Sequence, residues 1–170
     1  MIKTKYSNTF TTKAFYKGEF LDLMHIKPEN YVWHVTRKCN RNSIRVYGLR
    51  NTAGLVFANN QNFYLARFWH VMDQFIGSSH DLESVCSTLD FWRIDTRSNY
   101  SNWFYDPVIW DVECGGRQYR KHYICTPQNI HRYDLTCYQY DPSMLSKLYI
   151  KEFDGVACIN LKELPLRKVA

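Results

Sequence analysis

The stretch YVWHVTRKCNRNSIRVYGLRNTAGLVFA, Tyr31 to Ala58, decides the fold. Tyr31, Val32, Trp33 and Val35 are β-branched or aromatic, the residue types a buried strand prefers. His34 sits among them, and a polar ring in water-excluding surroundings requires a hydrogen-bond partner. Ile44 and Tyr47 fall three apart on one helical face, and Gly48 is the residue type that ends a helix in the left-handed conformation. A second strand is predicted from Gly54 to Ala58, running into Asn59 and Asn60, either of which can cap a helix that carries Phe63, Leu65, Ala66, Trp69 and Phe75.

Outward from this segment, residues Gly77 to Glu83 read as a polar loop. Leu89 to Thr96 and Trp103 to Pro107 read as aromatic strands joined by a turn-rich connection. His122 to Thr126 reads as a strand followed by a Pro-Gln-Asn turn, with another strand from Tyr133 to Tyr138. Pro142 to Phe153 has a proline near a helix start and apolar residues at Met144, Leu145, Leu148 and Tyr149, so a helix is expected there. Gly155 ends it, Val156 to Ile159 adds a strand, and Arg167 and Lys168 form a basic tail. Residues 1–30 read as loop with a short helix near Phe20, Leu21, Leu23 and Met24.

The run Trp33-His34-Val35-Thr36, Ser43-Ile44 to Gly48-Leu49-Arg50, Gly54-Leu55-Val56-Phe57-Ala58 and then Ala66 resembles the ADP-ribosyltransferase superfamily, in particular its poly(ADP-ribose)-polymerase-like branch and microbial relatives. His122 to Ile130 is similar to the strand and turn that carry the third signature of that family. The resemblance implies an α+β fold of split antiparallel or mixed sheets flanked by short helices. It covers a core of residues 31–140 within one domain of residues 1–170, with an N-terminal extension (1–30) and a C-terminal helix and strand (141–170). It also implies that NAD is the substrate and that ADP-ribose passes to a protein or nucleic-acid acceptor.

The family triad is a histidine, a tyrosine and a glutamate. Here His34 is in register, Val56 stands at the tyrosine position and His122 at the glutamate position. The glutamate stabilises positive charge as the glycosidic bond breaks, and losing one such group typically costs roughly 10²- to 10³-fold in rate. Glu113, two residues after Asp111 and so on the same face of a strand, is a further candidate acid; its plain alternative is a solvated strand end before the Gly115-Gly116 turn. The resemblance thus implies catalytic roles for His34, His122 and Glu113. It implies a nucleotide cleft formed by His34, Val35, Thr36, Val56, Phe57 and Phe68, in which the backbone near Thr36 meets the base. Phe57 points to the opposite face if its strand is regular. A satisfied core histidine is the plain alternative for His34, and a hydrogen-bonded strand residue for His122.

The whole chain agrees with a single globular domain: 170 residues are enough for a full core, and 45 % of them are hydrophobic. Aromatic residues make up 16 %, which favours strands. Nothing approaches the ~20-residue apolar run of a membrane span, and residues 1–6 lack a secretory hydrophobic segment, so a cytoplasmic protein without a membrane partner is expected. The six cysteines form no CxxC pair and the six histidines no HxxxH pair, so no metal site is expected. Cys125 and Cys137 read as buried small hydrophobes.

The formal charge of +6 is a mild excess that can steer an anionic dinucleotide or nucleic acid. Basic residues cluster at Arg37, Lys38, Arg41, Arg45 and Arg50, though basic helical faces are mostly solvated surface. A nucleic-acid module would need aromatic platforms on adjacent strands interleaved with Arg or Lys. Arg117 to Tyr123, the nearest approach in the linear sequence, lacks that pattern. The function classes are therefore an NAD-binding ADP-ribosyltransferase-like protein, or the same scaffold without catalysis. In the second class it would bind nucleotide, RNA or protein, for example in conflict between a microbe and its phage as toxin or anti-defence factor, or form part of an assembly.

Overall fold

Two alternating segments open the described chain as a hairpin, Thr11–Tyr16 (β1) and Glu19–Met24 (β2), with Tyr16 opposite Glu19. Between them Lys17 and Gly18 both take positive φ, the two-residue turn whose twist matches paired strands. The helix expected near Phe20 to Met24 is therefore a strand. Leu21 and Leu23 are two apart, and burial follows that period: Leu23 is fully buried, while Phe20 and Met24 are exposed. The computed structural model describes residues 11–60, 86–98, 102–108, 121–141, 143, 150–153, 156–159 and 166–170.

Tyr31–Arg37 (β3) is the histidine-bearing strand, followed by a 3-10 turn and the helix Arg41–Tyr47 (α1). Gly48 ends the helix at φ 73°, with its N–H donating to the Ile44 carbonyl at 2.8 Å. Any β-carbon at position 48 would run into the Ile130 carbonyl oxygen, because Leu49 and Ile130 exchange backbone hydrogen bonds of 3.0 and 2.9 Å. Val56–Asn60 (β4) begins two residues later than the sequence predicts, since Gly54 is held in a turn at φ 100°. Asn59 and Asn60 are consequently strand residues and not helix caps. Asn60 is buried, donates to the Lys121 carbonyl (2.9 Å) and accepts from the Glu29 N–H (3.3 Å). The helix expected over residues 63–75 and the loop at 77–83 lie outside the described residues.

The remaining strands are Leu89–Asp95 (β5), Phe104–Tyr105 (β6), Tyr123–Thr126 (β7), Leu135–Tyr140 (β8), Ile150–Phe153 (β9), Val156–Ile159 (β10) and Leu166–Lys168 (β11). Five of these join β3 and β4 in one seven-stranded sheet in the order β11-β8-β5-β3-β4-β7-β6, with every neighbouring pair antiparallel. The last four residues of the expected helix Pro142 to Phe153 are instead β9, hairpinned to β10 with Phe153 opposite Val156. The sequence signal for this is Asp154-Gly155, a strong two-residue hairpin dipeptide. The basic tail becomes edge strand β11, paired to β8. The architecture is mostly antiparallel β with one seven-residue α-helix among the described residues, α+β in the broad sense. Among those residues no helix is long and apolar enough to cross a membrane.

Each face of the sheet is packed. On the α1 side, Val32, Val56, Ala58, Trp92, Ile94, Ile124 and Cys137 meet Ile44, Leu49 and Ile130. On the other side, Leu55, Phe104 and Cys125 pack against Ala14 and Leu23 of the hairpin. An ion pair clamps α1 to the sheet: Arg41 donates through Nε (2.8 Å) and a terminal nitrogen (2.5 Å) to the two oxygens of fully buried Asp90 on β5. Removing one member of a buried pair leaves an uncompensated charge. Arg41→Ala is therefore expected to lower stability by about 3 kcal/mol, read as a drop in the urea midpoint, with Arg41→Ala/Asp90→Ala recovering part of the loss.

Candidate functional site

The geometry around His34 follows from a break in strand pairing. β3 and β5 are paired along all seven residues, but β3 and β4 are paired only at Val32↔Asn60 and Trp33↔Asn59. Beyond Trp33 the two central strands part. His34 is the first residue past the break, and its Nδ1 lies 2.7 Å from the Phe57 carbonyl oxygen of β4. A carbonyl only accepts, so Nδ1 carries the hydrogen and Nε2 is left as an acceptor. Burial pushes the ring's pKa below its ordinary value, outweighing the carbonyl, which favours the charged form. His34 is thus a neutral imidazole at pH 7, fixed at one nitrogen and partly exposed.

Strand alternation sorts the other candidates. Val32, His34 and Thr36 share the α1 face with Trp92, the β5 partner of His34. Thr36 is buried and its hydroxyl accepts from Asn40 Nδ2 (2.8 Å), which ties the side chain to the following turn. Val35 faces the opposite way, beside Phe91. Val56 is 4 % exposed inside the core cluster, and Phe57 points to the hairpin side, edge-on to Tyr16 at 5.4 Å. His122 lies in a 3-10 turn just before β7, not in the strand. Burial first, and then the adjacent Lys121 charge, push its pKa down, against the pull of Glu29. Phe68, Asp111 and Glu113 lie outside the described residues.

Register shows which candidates converge. Val56 is opposite Thr126 and Asn59 is opposite Tyr123, so His122 lies beyond the far end of β7 from Val56. At ~3.3 Å per residue, Val56 and His122 are separated by roughly 10 Å or more along the strands. β3, β4 and β7 are neighbours, yet the three signature positions do not share a rung.

A cavity of about 590 Å³ opens on the α1 face one strand over from His34, with Ile44, Trp92, Leu135 and Cys137 among its lining residues. Arg45 and Arg132 also border it, and no Asp or Glu side chain does. His34, Thr36 and Val56 do not line it; Trp92, directly opposite His34, is the link. Burial, reinforced by Asp90, pushes the Cys137 thiol up to about 11, so it stays protonated and adds no negative charge. Of the basic residues clustered in sequence, Arg41 is spent on Asp90 and Arg45 donates to the Ala170 backbone oxygen (2.7 Å). Among the described residues no three His, Cys, Asp or Glu side chains are grouped as metal ligands.

A feature invisible in the linear sequence lies on the opposite sheet face. The Arg93 guanidinium of β5 sits 4.4 Å from the Tyr31 ring centroid on β3 and 5.3 Å from that of Tyr138 on β8, and Arg97 lies 4.8 Å from Tyr31. Tyr31, the Arg93–Arg97 segment and Tyr138 are far apart in sequence, and only the strand order brings them together.

The two depressed histidines make stability pH-dependent. Unfolded imidazole takes up its proton near pH 6.5, and the folded rings do so lower, so the unfolded state binds more protons as pH falls through that value. Stability is full above that pH and declines below it. His34→Gln is expected to flatten, without abolishing, the fall in the urea midpoint between about pH 6.5 and 5, His122 supplying the remainder; an unchanged slope would contradict the assignment.

No protein-family model, curated protein or solved structure matches this chain.

Proposed function

We propose that this chain is an ADP-ribosyltransferase-like nucleotide-binding protein that takes NAD or ADP-ribose where β3 and β4 part. The observation that carries this reading is the broken ladder with His34 fixed across it through Nδ1. The free Nε2 of a neutral ring accepts a hydrogen bond from a ribose hydroxyl, and the β3 backbone past Trp33, released from β4, offers polar groups to a base. The neighbouring cavity falls within the 300–1,000 Å³ range of small-molecule sites, and its cationic border suits a pyrophosphate.

The separation of Val56 from His122 and the burial of Val56 favour binding over fast transfer. Transfer of ADP-ribose to a protein or nucleic acid would require a carboxylate at the reacting centre, and Glu113 is the candidate. Without it, the chain is a non-catalytic binder on the same scaffold, the second reading.

Calorimetry with NAD and ADP-ribose tests the proposal. Micromolar to submillimolar binding is expected, weakened about tenfold in His34→Ala by loss of one hydrogen bond (about 1 kcal/mol or more), and weakened again only when the pH falls below the ordinary imidazole range, where the burial-depressed ring takes up a proton at Nε2. Absence of binding of either ligand at millimolar concentration would end the reading. Nicotinamide release from NAD together with the labelled ADP-ribosyl group appearing on a protein or nucleic-acid acceptor, both lost in Glu113→Gln, would assign transfer; binding without release would assign the second reading.

A further inference from the structure

On the sheet face opposite His34, cations and aromatic rings alternate along a diagonal that crosses four neighbouring strands. The line starts with Arg97 just past β5 and continues through Tyr31 on β3, Arg93 on β5, Tyr138 on β8 and Lys168 on β11. Arg97, Arg93 and the two rings are linked by the guanidinium-to-centroid distances already given. Lys168 is the register partner of Tyr138 and so shares its face. Tyr31, Arg93 and Tyr138 are partly exposed, and Arg97 and Lys168 exposed.

We propose that this diagonal binds single-stranded nucleic acid, with the phosphates on Arg93, Arg97 and Lys168 and the bases against Tyr31 and Tyr138. Three features carry it. First, Arg93 has no carboxylate partner among the described residues and is held only by two ring faces, which leaves its N–H donors for a phosphate. Second, the line carries three cations against one carboxylate, Asp95, which pairs with Arg97 at 3.0 Å. Third, the spacing is set by the sheet: neighbouring strands lie ~4.8 Å apart, so successive rings and cations fall at intervals that a flexible single strand can follow, whereas a rigid duplex presents its bases edge-on and cannot stack them. Trp33, on the same face and edge-on to Tyr138 at 5.4 Å, supports the platform from below. Such surfaces bind with little sequence preference and strong salt dependence.

The site is independent of the cleft at His34, being on the other face. Fluorescence anisotropy of the full chain with a labelled 12-nucleotide oligouridine, the matching oligodeoxythymidine and a 12-base-pair duplex tests it. The expected result is binding of both single strands at least tenfold tighter than the duplex, and a log–log salt slope that becomes shallower by about one in Arg97→Ala or Lys168→Ala. Those two residues are exposed, so their variants keep the proposal testable if core changes misfold. Arg93→Ala and Tyr138→Ser are expected to weaken binding about tenfold or more, with Arg93→Lys intermediate because it keeps charge but stacks poorly. His34→Ala should leave the oligonucleotide affinity unchanged, and Arg93→Ala should leave ADP-ribose binding unchanged, so failure of either site is seen separately. No binding at 50 mM salt and 100 µM protein, equal affinity for the duplex or for heparin, or affinity indifferent to Arg93 and Tyr138 would each overturn the proposal.

Discussion

The hydrogen bond from His34 Nδ1 to the Phe57 carbonyl is the interaction around which the centre of the molecule is arranged. Two strands that stay paired need no side chain between them, and a strand carbonyl that loses its ladder partner must find another donor. β3 and β4 pair for two residues and then separate. The imidazole supplies the missing donor at the first position where it is needed, holding the strands at a fixed divergence. The chain between them must bridge a widening gap, and it does so with the 3-10 turn, α1 and the segment after Gly48. That segment turns back to pair Leu49 with Ile130. Gly48 is constrained twice, by its positive φ and by the Ile130 carbonyl where a β-carbon would stand.

The same divergence gives the two faces of the sheet different characters. On the α1 side, the helix is pulled inward by Arg41 and Asp90 and covers the sheet near β3. It leaves the cavity open toward β8 and β11, where Arg45 and Arg132 stand. On the other side, the hairpin β1–β2 covers the β4–β7–β6 part with Ala14, Leu23 and Tyr16, while Tyr31, Arg93 and Tyr138 on the β3–β5–β8 part stay partly exposed. Phe15 and Phe20 meet edge-to-face at 5.1 Å on the outer face of that hairpin, so its aromatic content serves both the core and its own surface. The high aromatic fraction is thus divided between core and surface and is not spent on burial alone.

Much of this was legible where the cause is local. β3, α1 and the Gly48 stop follow from residue type and spacing within one segment, as do β5, β7 and β10. The β1–β2 and β9–β10 hairpins are less legible: Lys17-Gly18 and Asp154-Gly155 carry the turn chemistry, but the apolar residues beside them also fit a helical spacing. β4 was displaced by two residues because Asn59 and Asn60 are good caps in isolation; their cross-strand role depends on Lys121 and Glu29, which only the fold brings near. The need of His34 for a partner was readable, but its identity was not, since Phe57 becomes adjacent only through the strand register. The line from Arg97 to Lys168 is the extreme case. Its members come from four segments, and no linear pattern of aromatic and basic residues announces it.

Electrostatics bears on what chemistry the cleft can support. Breaking a glycosidic bond to nicotinamide develops positive charge, and a group that stabilises it must be anionic or at least a neutral acceptor. Burial and Lys121 keep His122 in the neutral form, the state that can accept a hydrogen bond and does not repel a cation. That protonation state is compatible with the task, but position is not: His122 sits beyond the Tyr123 end of β7, whereas Val56 pairs at the Thr126 end. A dipole or charge displaced by roughly 10 Å from the reacting carbon contributes little differential stabilisation, because electrostatic preorganisation works at hydrogen-bond range. In the proposed binding mode a hydrogen bond to the His34 Nε2 would be made in ground state and transition state alike, and such uniform binding lowers a dissociation constant without accelerating a reaction. Glycosidic-bond cleavage at the proposed site would therefore require a carboxylate at hydrogen-bond range of the reacting carbon, which neither His34 nor His122 supplies.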